Sequence, residues 1–256
     1  MSQTLKFGNG TWATKKGSTL AYSDTNNAFK PLPFTYTGAG KGTRVNKEGL
    51  IEVVENDRPR IDYLDSEDGV FLLEKAATNL VTYSEDFSQW SGSGINITNN
   101  DVISPDGTLN ADKVQSTDAY FGKYIQPSIL SGNNYTASVF VKNATDENSI
   151  TFRFLAGSND CRYIFNIKEL TVIPVIGYTN GFVSHNIENY GNGWYKCSLT
   201  VSSNGTSSVF AIYPKILTNS NTESANLWGA MLEQNSVASS YIPTQGASQT
   251  RVQETA

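Results

Sequence analysis

The chain has one histidine, two cysteines and few charges among its 256 residues, and each scarcity closes off a class of chemistry. A clustered-histidine metal site cannot be built from His185 alone, and a Ser-His-Asp triad would have to use it. His185 lies in "NGFVSHNIENYGNG", where alternation puts Phe182, Ser184 and Asn186 on one face and Val183, His185 and Ile187 on the other. It reads as a half-buried strand histidine. Cys161 and Cys197 have no C-x-x-C spacing, which excludes a zinc ribbon. Both read as buried free thiols, with a cross-sheet disulfide as the alternative. Charged residues make up only 17%, against the usual level of roughly 25%, so the polar surface must be mostly Asn, Ser and Thr. The net charge is -5 and no Lys/Arg stripe is present, which argues against nucleic acid and anionic membranes as partners. No apolar run approaches the roughly 18 residues of a membrane span. The start, "MSQTLKFGNGTWATKK", has no apolar signal-peptide core, so export by the secretory route is not expected.

Helical periodicity is nearly absent, and period-2 alternation takes its place. Tyr135, Ala137, Val139 and Val141 share one face, as do Ile150, Phe152, Phe154 and Ala156, and again Tyr195, Cys197, Leu199 and Val201. These read as antiparallel strands with one core face each. Asn-Gly at 180–181, 192–193 and 204–205, and Asp-Gly at 68–69 and 106–107, supply the positive φ that hairpin turns require. Trp228, alternating with Ala230 and Leu232, reads as core, and Trp90 as packing at the sandwich edge.

The expected fold is all-β, a jelly-roll β-sandwich over 79–242 preceded by an N-terminal arm and a β-meander. Residues 1–34 hold too little apolar mass for a core of their own and read as an attachment arm ending in "FKPLPF". Residues 35–78 read as a β-meander or connector, with turns at Lys47-Glu48-Gly49, Glu55-Asn56-Asp57 and Ser66-Glu67-Asp68-Gly69. "GAGKGT" at 38–43 lacks phosphate-loop spacing and reads as a flexible link. The segment 243–256 reads as a polar, loose tail.

Over 79–242, "NLVTYSEDFSQW", "NNYTASVFVKN", "YGNGWYKCSLTV" and "ANLWGAMLEQNSVASSYIPT" resemble the strands of galactose-binding-like jelly-roll carbohydrate-binding modules. "TRVNKEGLIEVVENDRPRIDY", followed by "GVFLLEKAATNLVTYSEDFSQW", is similar to a recurrent block of bacteriophage head-fibre and tail-fibre proteins. "FGNGTWATKKGSTLAYSDTNNAFKPLPF" is similar to N-terminal segments of such proteins. The resemblance implies a virion structural protein made in the host cytoplasm and released by lysis. It implies attachment to other virion proteins through the arm, assembly as a homo-oligomer of the trimer type, and adhesion to glycans.

In the module family, acids near the first strand often help to bind a structural calcium. Here Glu85 and Asp86, with Asp101, Asp106 and Asp112 nearby, are the candidates, and Gly229 stands near the position of a further acid in the last strand. A solvated turn is the alternative, and no other cofactor is expected. Neighbours on a strand point to opposite faces, so Glu85 and Asp86 are poorly placed as a glycosidase pair. Trp194 shares a face with Lys196, Ser198 and Thr200, and Phe140 with Thr136, Ser138 and Lys142, while Arg153 accompanies Thr151. If these strands are neighbours, Phe140, Arg153, Trp194 and Lys196 make an outward aromatic and basic face. Such a face suits a glycan platform, a subunit interface or ordinary packing. The expected function is therefore a non-enzymatic virion protein, a head fibre, decoration protein or short tail fibre. A stand-alone carbohydrate-binding module and a polysaccharide-degrading enzyme are the alternatives.

Overall fold

The computed structural model describes residues 12–15, 18–23, 28–31, 35–38, 42–117, 122–145, 148–214 and 223–255, the first three ranges by their backbone alone. The docking read for the arm, including the end of "FKPLPF", and the middle of the link at 38–43 lie outside the described residues. The chain divides into two compact units, Met1–Ala77 with Ser240–Ile242 and Thr250–Ala256, and Thr78–Ser239 with Pro243–Gln249.

In the first unit, β1 (Trp12–Lys15), β2 (Ser18–Ser23) and β3 (Ala28–Pro31) form a three-stranded antiparallel sheet. Two short hairpins follow, β4 (Thr43–Val45) with β5 (Ile51–Val53), and β6 (Arg60–Asp62) with β7 (Val70–Leu72). The hairpins join where the Val45 N–H donates to Asp62 Oδ2 (2.8 Å) and the Tyr63 N–H to Val45 O (3.0 Å). Among the described residues the buried apolar set is Tyr36, Val45, Ile51, Val54, Ile61, Ala77, Tyr241 and Ile242.

A buried charge cluster supplements that core. The Arg60 guanidinium, 1% exposed, donates through Nε to Glu254 Oε1 (2.7 Å), through Nη2 to Glu74 Oε2 (2.8 Å) and through Nη1 to Thr43 O (2.7 Å). Tyr36 Oη donates to Glu254 Oε1 (2.6 Å), and Arg251 Nη1 lies 3.2 Å from Glu74 Oε2. The segment after 243 is therefore not loose: Arg251 and Glu254 are buried, and Thr255 exchanges both backbone hydrogen bonds with Thr37. Its polar side chains are there to satisfy other buried charges, which a composition-based reading takes for solvent exposure.

The second unit opens with β8 (Ala77–Asn79), shared with the unit boundary, and a single 3-10 turn at Phe87–Gln89. It continues with β9 (Ile95–Ile103), β10 (Leu109–Ser116), β11 (Lys123–Ile125), β12 (Asn134–Lys142), β13 (Ser149–Ala156) and β14 (Asn159–Asn166). Then come β15 (Thr171–Thr179), β16 (Phe182–Asn189), β17 (Tyr195–Ser202), β18 (Ser208–Tyr213) and β19 (Ser224–Glu233), with β20 (Gln249–Arg251) crossing back to the first unit. These build a jelly-roll sandwich from a six-stranded sheet, β16-β17-β12-β19-β10-β9, and a five-stranded sheet, β11-β18-β13-β14-β15.

The core lies between the two sheets and follows the alternation read from the sequence. Tyr135, Ala137, Val139 and Val141 on β12 meet Ile150, Phe152, Phe154 and Ala156 on β13, all at most 2% exposed. Phe152 packs on Phe165 (4.6 Å between centroids) and Phe210 (5.6 Å). The opening stretch of the unit closes one end of the core. Val81, Phe87 and Trp90 are buried, and Trp90 Nε1 donates to Tyr83 O (2.9 Å).

Two bulges overturn single-residue readings. On β19 the register shifts opposite Ser138 and Phe140, at Gly229 (φ +63°), a backbone conformation in which a Cβ is strained. Ala225 and Leu227 face the core before it, and Ala230 and Leu232 after it. Trp228 is buried as expected, 1% exposed, but on the other face of β19 from Ala230 and Leu232, where it stacks edge-on against Phe140. On β16 a shift between Phe182 and Ser184 breaks the assumed alternation. Phe182 and His185 both meet Tyr163, at 4.7 and 5.8 Å, and His185 is exposed rather than half buried.

Candidate functional site

The face carrying Phe140, Trp194 and Lys196 is the outer face of the six-stranded sheet, and it is covered. Phe140 and Trp194 are each 1% exposed and Lys196 is 4% exposed. Trp194 Nε1 donates to Ile103 O (3.1 Å), and Tyr190 and Trp228 stack edge-on against Phe140. Residues 234–239, which follow β19, fold back over the face. Thr136 Oγ1 donates to Asn235 O (2.9 Å), Lys196 Nζ to Ser239 O (2.5 Å) and the Ser239 N–H to Glu233 Oε1 (2.8 Å). Burial raises the Glu233 carboxyl above its ordinary value, and hydrogen bonds from Ser239 and the Lys196 charge offset only part of that. The outward reading of Phe140, Trp194 and Lys196 is thus corrected: local alternation finds a second face but not the segment that covers it. Arg153 is not their neighbour, because β13 belongs to the other sheet.

The acids near the first strand each engage donors of their own. Asp86 caps the 3-10 turn, accepting from the Ser88 N–H (3.0 Å). Asp112, 2% exposed, accepts from the backbone N–H of Phe87 (2.9 Å) and of Asn100 (3.1 Å), and burial raises its carboxyl above the ordinary value despite those bonds. Asp101 accepts from Asn226 on β19 (2.8 Å). Asp106 shapes its own turn through the Thr108 N–H (2.8 Å). Glu85 and Asp106 come together at the Asn110 amide nitrogen, 3.2 and 3.3 Å from their oxygens. Calcium binding needs a cage of oxygens, supplied by carboxylates, carbonyls and waters. Among the described residues no three His, Cys, Asp or Glu side chains converge as a metal set.

Arg153 stands instead on the outer face of the five-stranded sheet, and the register places its neighbours. Tyr124 on β11 pairs with Ala211 on β18, Ala211 with Arg153 on β13, and Arg153 with Arg162 on β14, giving one row across four strands. Residues directly opposite share a face, so this row looks away from the core. Beside it run the row Val209–Leu155–Asp160 and the row Tyr213–Thr151–Ile164–Ile173.

Two like charges directly opposite each other repel, and Asp160 resolves the conflict from the next row. Its Oδ1 accepts from Nε of both guanidiniums (3.1 and 3.2 Å), and its Oδ2 from Nη2 of both (3.0 and 2.8 Å). Burial tends to raise the Asp160 carboxyl, but hydrogen bonds from Arg162 and Arg153 and their charges more than offset this and hold it below its ordinary value. The Arg162 guanidinium lies 3.5 Å from the centroid of the Tyr178 ring, itself 37% exposed. Tyr213 sits beside Arg153 as a side-chain partner. The Arg153 and Arg162 side chains are 26% and 21% exposed, so the cluster is neither core nor free surface.

Of the residues singled out in the sequence, only Arg153 belongs to this face. Asp160, Arg162, Tyr124, Tyr178 and Tyr213 were missed. A local signal for two of them exists in "GSNDCRYIFN", where Asp160 and Arg162 alternate with the apolar Cys161, Tyr163 and Phe165, so both must face outward beside Arg153 across the tight Gly157-Ser158 turn. Tyr124 and Tyr213 needed the order of strands in the sheet, which no local pattern carries.

Neither a known sequence family nor a curated protein matches the chain. Among solved structures it is similar to the enzymatically active domain of tailspike protein 4 of bacteriophage CBA120, with 13% identity and a TM-score of 0.35, over 60% of this chain but only 21% of that one. It is similar to the CBM22-1 xylan-binding domain from Paenibacillus barcinonensis, with 14% identity, a TM-score of 0.37, and 64% of this chain matched to 99% of that domain. It is also similar to the carbohydrate-binding module CBM6cm-2 of Cellvibrio mixtus lichenase 5A, solved with cellotriose, with 14% identity, a TM-score of 0.30, and 62% of this chain matched to 96% of that module. These values transfer neither a ligand nor an activity, and the fold described above rests on the chain's own sheets.

Proposed function

We propose that this chain is a non-enzymatic adhesion protein of a bacteriophage particle and that it holds glycans on the outer face of its five-stranded sheet. The observation that carries the reading is the row of Tyr124, Arg153 and Arg162 with Tyr178 and Tyr213 beside it, partly exposed on a rigid sheet. Flat rings match the C–H faces of sugars, and guanidinium N–H groups donate to sugar oxygens. The sheet fixes these groups before a ligand arrives, which reduces the ordering cost of binding. Asp160, the one carboxylate of the cluster, is held ionised between two guanidiniums, so it is poorly suited to act as the general acid that glycoside cleavage requires. A shallow site of this kind binds weakly, and repetition of the chain as a trimer on a particle would make weak contacts useful. The place on a phage particle rests on the resemblance of residues 1–90 to fibre proteins, and a carbohydrate-binding module acting alone would use the same face.

The test is a glycan microarray probed with the full chain and with Tyr124→Ala. The expected outcome is retention of a defined glycan class by the parent, weakened about fivefold in the variant, since stacking on one ring is worth on the order of 1 kcal/mol. No reducing ends should be released from any retained polysaccharide. Equal retention by Tyr124→Ala would remove the face from the reading, and release of reducing ends would replace adhesion with hydrolysis.

A further inference from the structure

We propose that the ligand of this face is anionic, a polysaccharide bearing carboxylate groups, and that Arg153 and Arg162 take its charge. The inference rests on the glycan reading above and names the class of glycan. It starts from an imbalance. The strand register sets two guanidiniums opposite each other on neighbouring strands, and among the described residues one carboxylate, Asp160, holds both. Stability alone would be better served by one arginine opposite an acid, because the second cation adds repulsion. The surplus positive charge sits in a chain whose net charge is -5, so it is a local feature and not a reflection of overall composition.

The geometry of the two guanidiniums points the same way. Asp160 takes Nε and Nη2 of each, so Nη1 of each is left off the carboxylate, and Arg153 has Tyr213 as a further side-chain hydrogen-bond partner. The Tyr178 ring, 3.5 Å away, fixes the plane of the Arg162 fork. Both side chains remain about a quarter exposed, at 26% and 21%. The acceptor oxygens of Asp160 are already engaged by both guanidiniums, so the charged groups of the cluster offer a ligand donors. At the guanidiniums a sugar hydroxyl uses its oxygen alone, and its proton must turn to a tyrosine hydroxyl or to water. A carboxylate is acceptor-only and matches a planar donor fork through charge-assisted bonds.

The experiment uses the full chain on a microarray that carries neutral xylan, glucan and mannan oligosaccharides beside glucuronate, galacturonate and sialate glycans. Retention should be confined to the carboxylate-bearing set, and should fall with added salt and on methyl esterification of the same oligosaccharide. Arg162→Gln should weaken binding about tenfold or more. Asp160→Asn, which removes the internal counter-charge, should bind no more weakly than the parent. Circular dichroism of both variants separates a lost fold from a lost contact. Retention of neutral glycans, lost in Tyr124→Ala, would overturn this inference and keep the glycan reading. Retention of no glycan would overturn both. Acidic glycans held equally by Arg162→Gln, or lost as fully in Asp160→Asn as in Arg162→Gln, would overturn the assignment of their charge to this pair.

Discussion

Two arginine clusters in this chain are made of the same groups and differ in their arithmetic. In the first unit, Arg60 and Arg251 face Glu74 and Glu254, two charges of each sign, with Arg60 1% exposed and every carboxylate engaged. On the five-stranded sheet, Arg153 and Arg162 share Asp160 alone, and their side chains are partly exposed. In the balanced cluster each charge has an opposite charge within the protein. The cluster replaces the apolar core that a short pair of hairpins cannot supply, and its charges are tolerable only because each is paired and hydrogen-bonded. The unbalanced cluster is one anion short of neutral at a surface that an anion can reach. Completeness marks a structural network, and a deficit at an accessible face marks a place for a partner.

The comparison breaks most visibly at Glu254. Glu254→Ala should cost about 3–5 kcal/mol in urea denaturation, because it strands the buried Arg60 charge. A loss below about 1 kcal/mol would put this cluster in the same class as the exposed one.

Acid should sharpen the contrast next. The Glu74 carboxyl is held below its ordinary value, since the Arg251 and Arg60 charges and the Ser240 hydrogen bonds together outweigh burial. A depressed carboxyl contributes stability that is present above its unfolded-state pKa and is lost as pH falls through the folded value. Stability should therefore drop below about pH 4, and Glu74→Gln should flatten that drop. Asp160 is depressed in the same direction but is less enclosed, so Asp160→Asn should flatten the drop less. An equal effect of the two variants on the acid limb of urea melts would count against the distinction.

A smaller effect is expected at Arg153. Arg153→Ala should change stability by no more than about 1 kcal/mol, because a partly exposed ion pair contributes little and Arg162 then has Asp160 to itself. The smallest expected effect is that of a chelator: the melting temperature in EDTA should match that in calcium, with Glu85 and Asp106 bonded through Asn110 in either case. A rise with calcium would restore the oxygen-cage reading of these acids.

Alternation made the core legible because a strand with one wet face must place apolar residues at every second position. Tyr135 to Val141 and Ile150 to Ala156 were placed correctly for that reason. The same signal assigned Trp228 to the wrong face, though it is buried, and misread the burial of His185, because a bulge inserts one residue and reverses the phase without any change in composition. It failed differently at Trp194 and Lys196. Their face does turn away from the core, but residues 234–239 bury it through contacts such as that of Lys196 with Ser239, which are far apart in sequence. Arg153 was found and its partners were not, because alternation reports which face a residue is on and not which strand lies beside it.

The pairing of Arg60 with Glu254 spans 194 residues, and that separation has a consequence for synthesis. At roughly 5 to 20 residues per second, Arg60 leaves the ribosome on the order of 10 to 40 s before Glu254, the second of its two carboxylate partners. Tyr36, Thr37 and Glu74 wait in the same way for Glu254 and Thr255. The part of the chain made first is thus among the last to close. Until it closes, the early hairpins hold Arg60 with Glu74 but without Glu254, and a chain cut short before residue 254 would carry a sandwich with all its strands from β9 to β19 and a first unit without its lock.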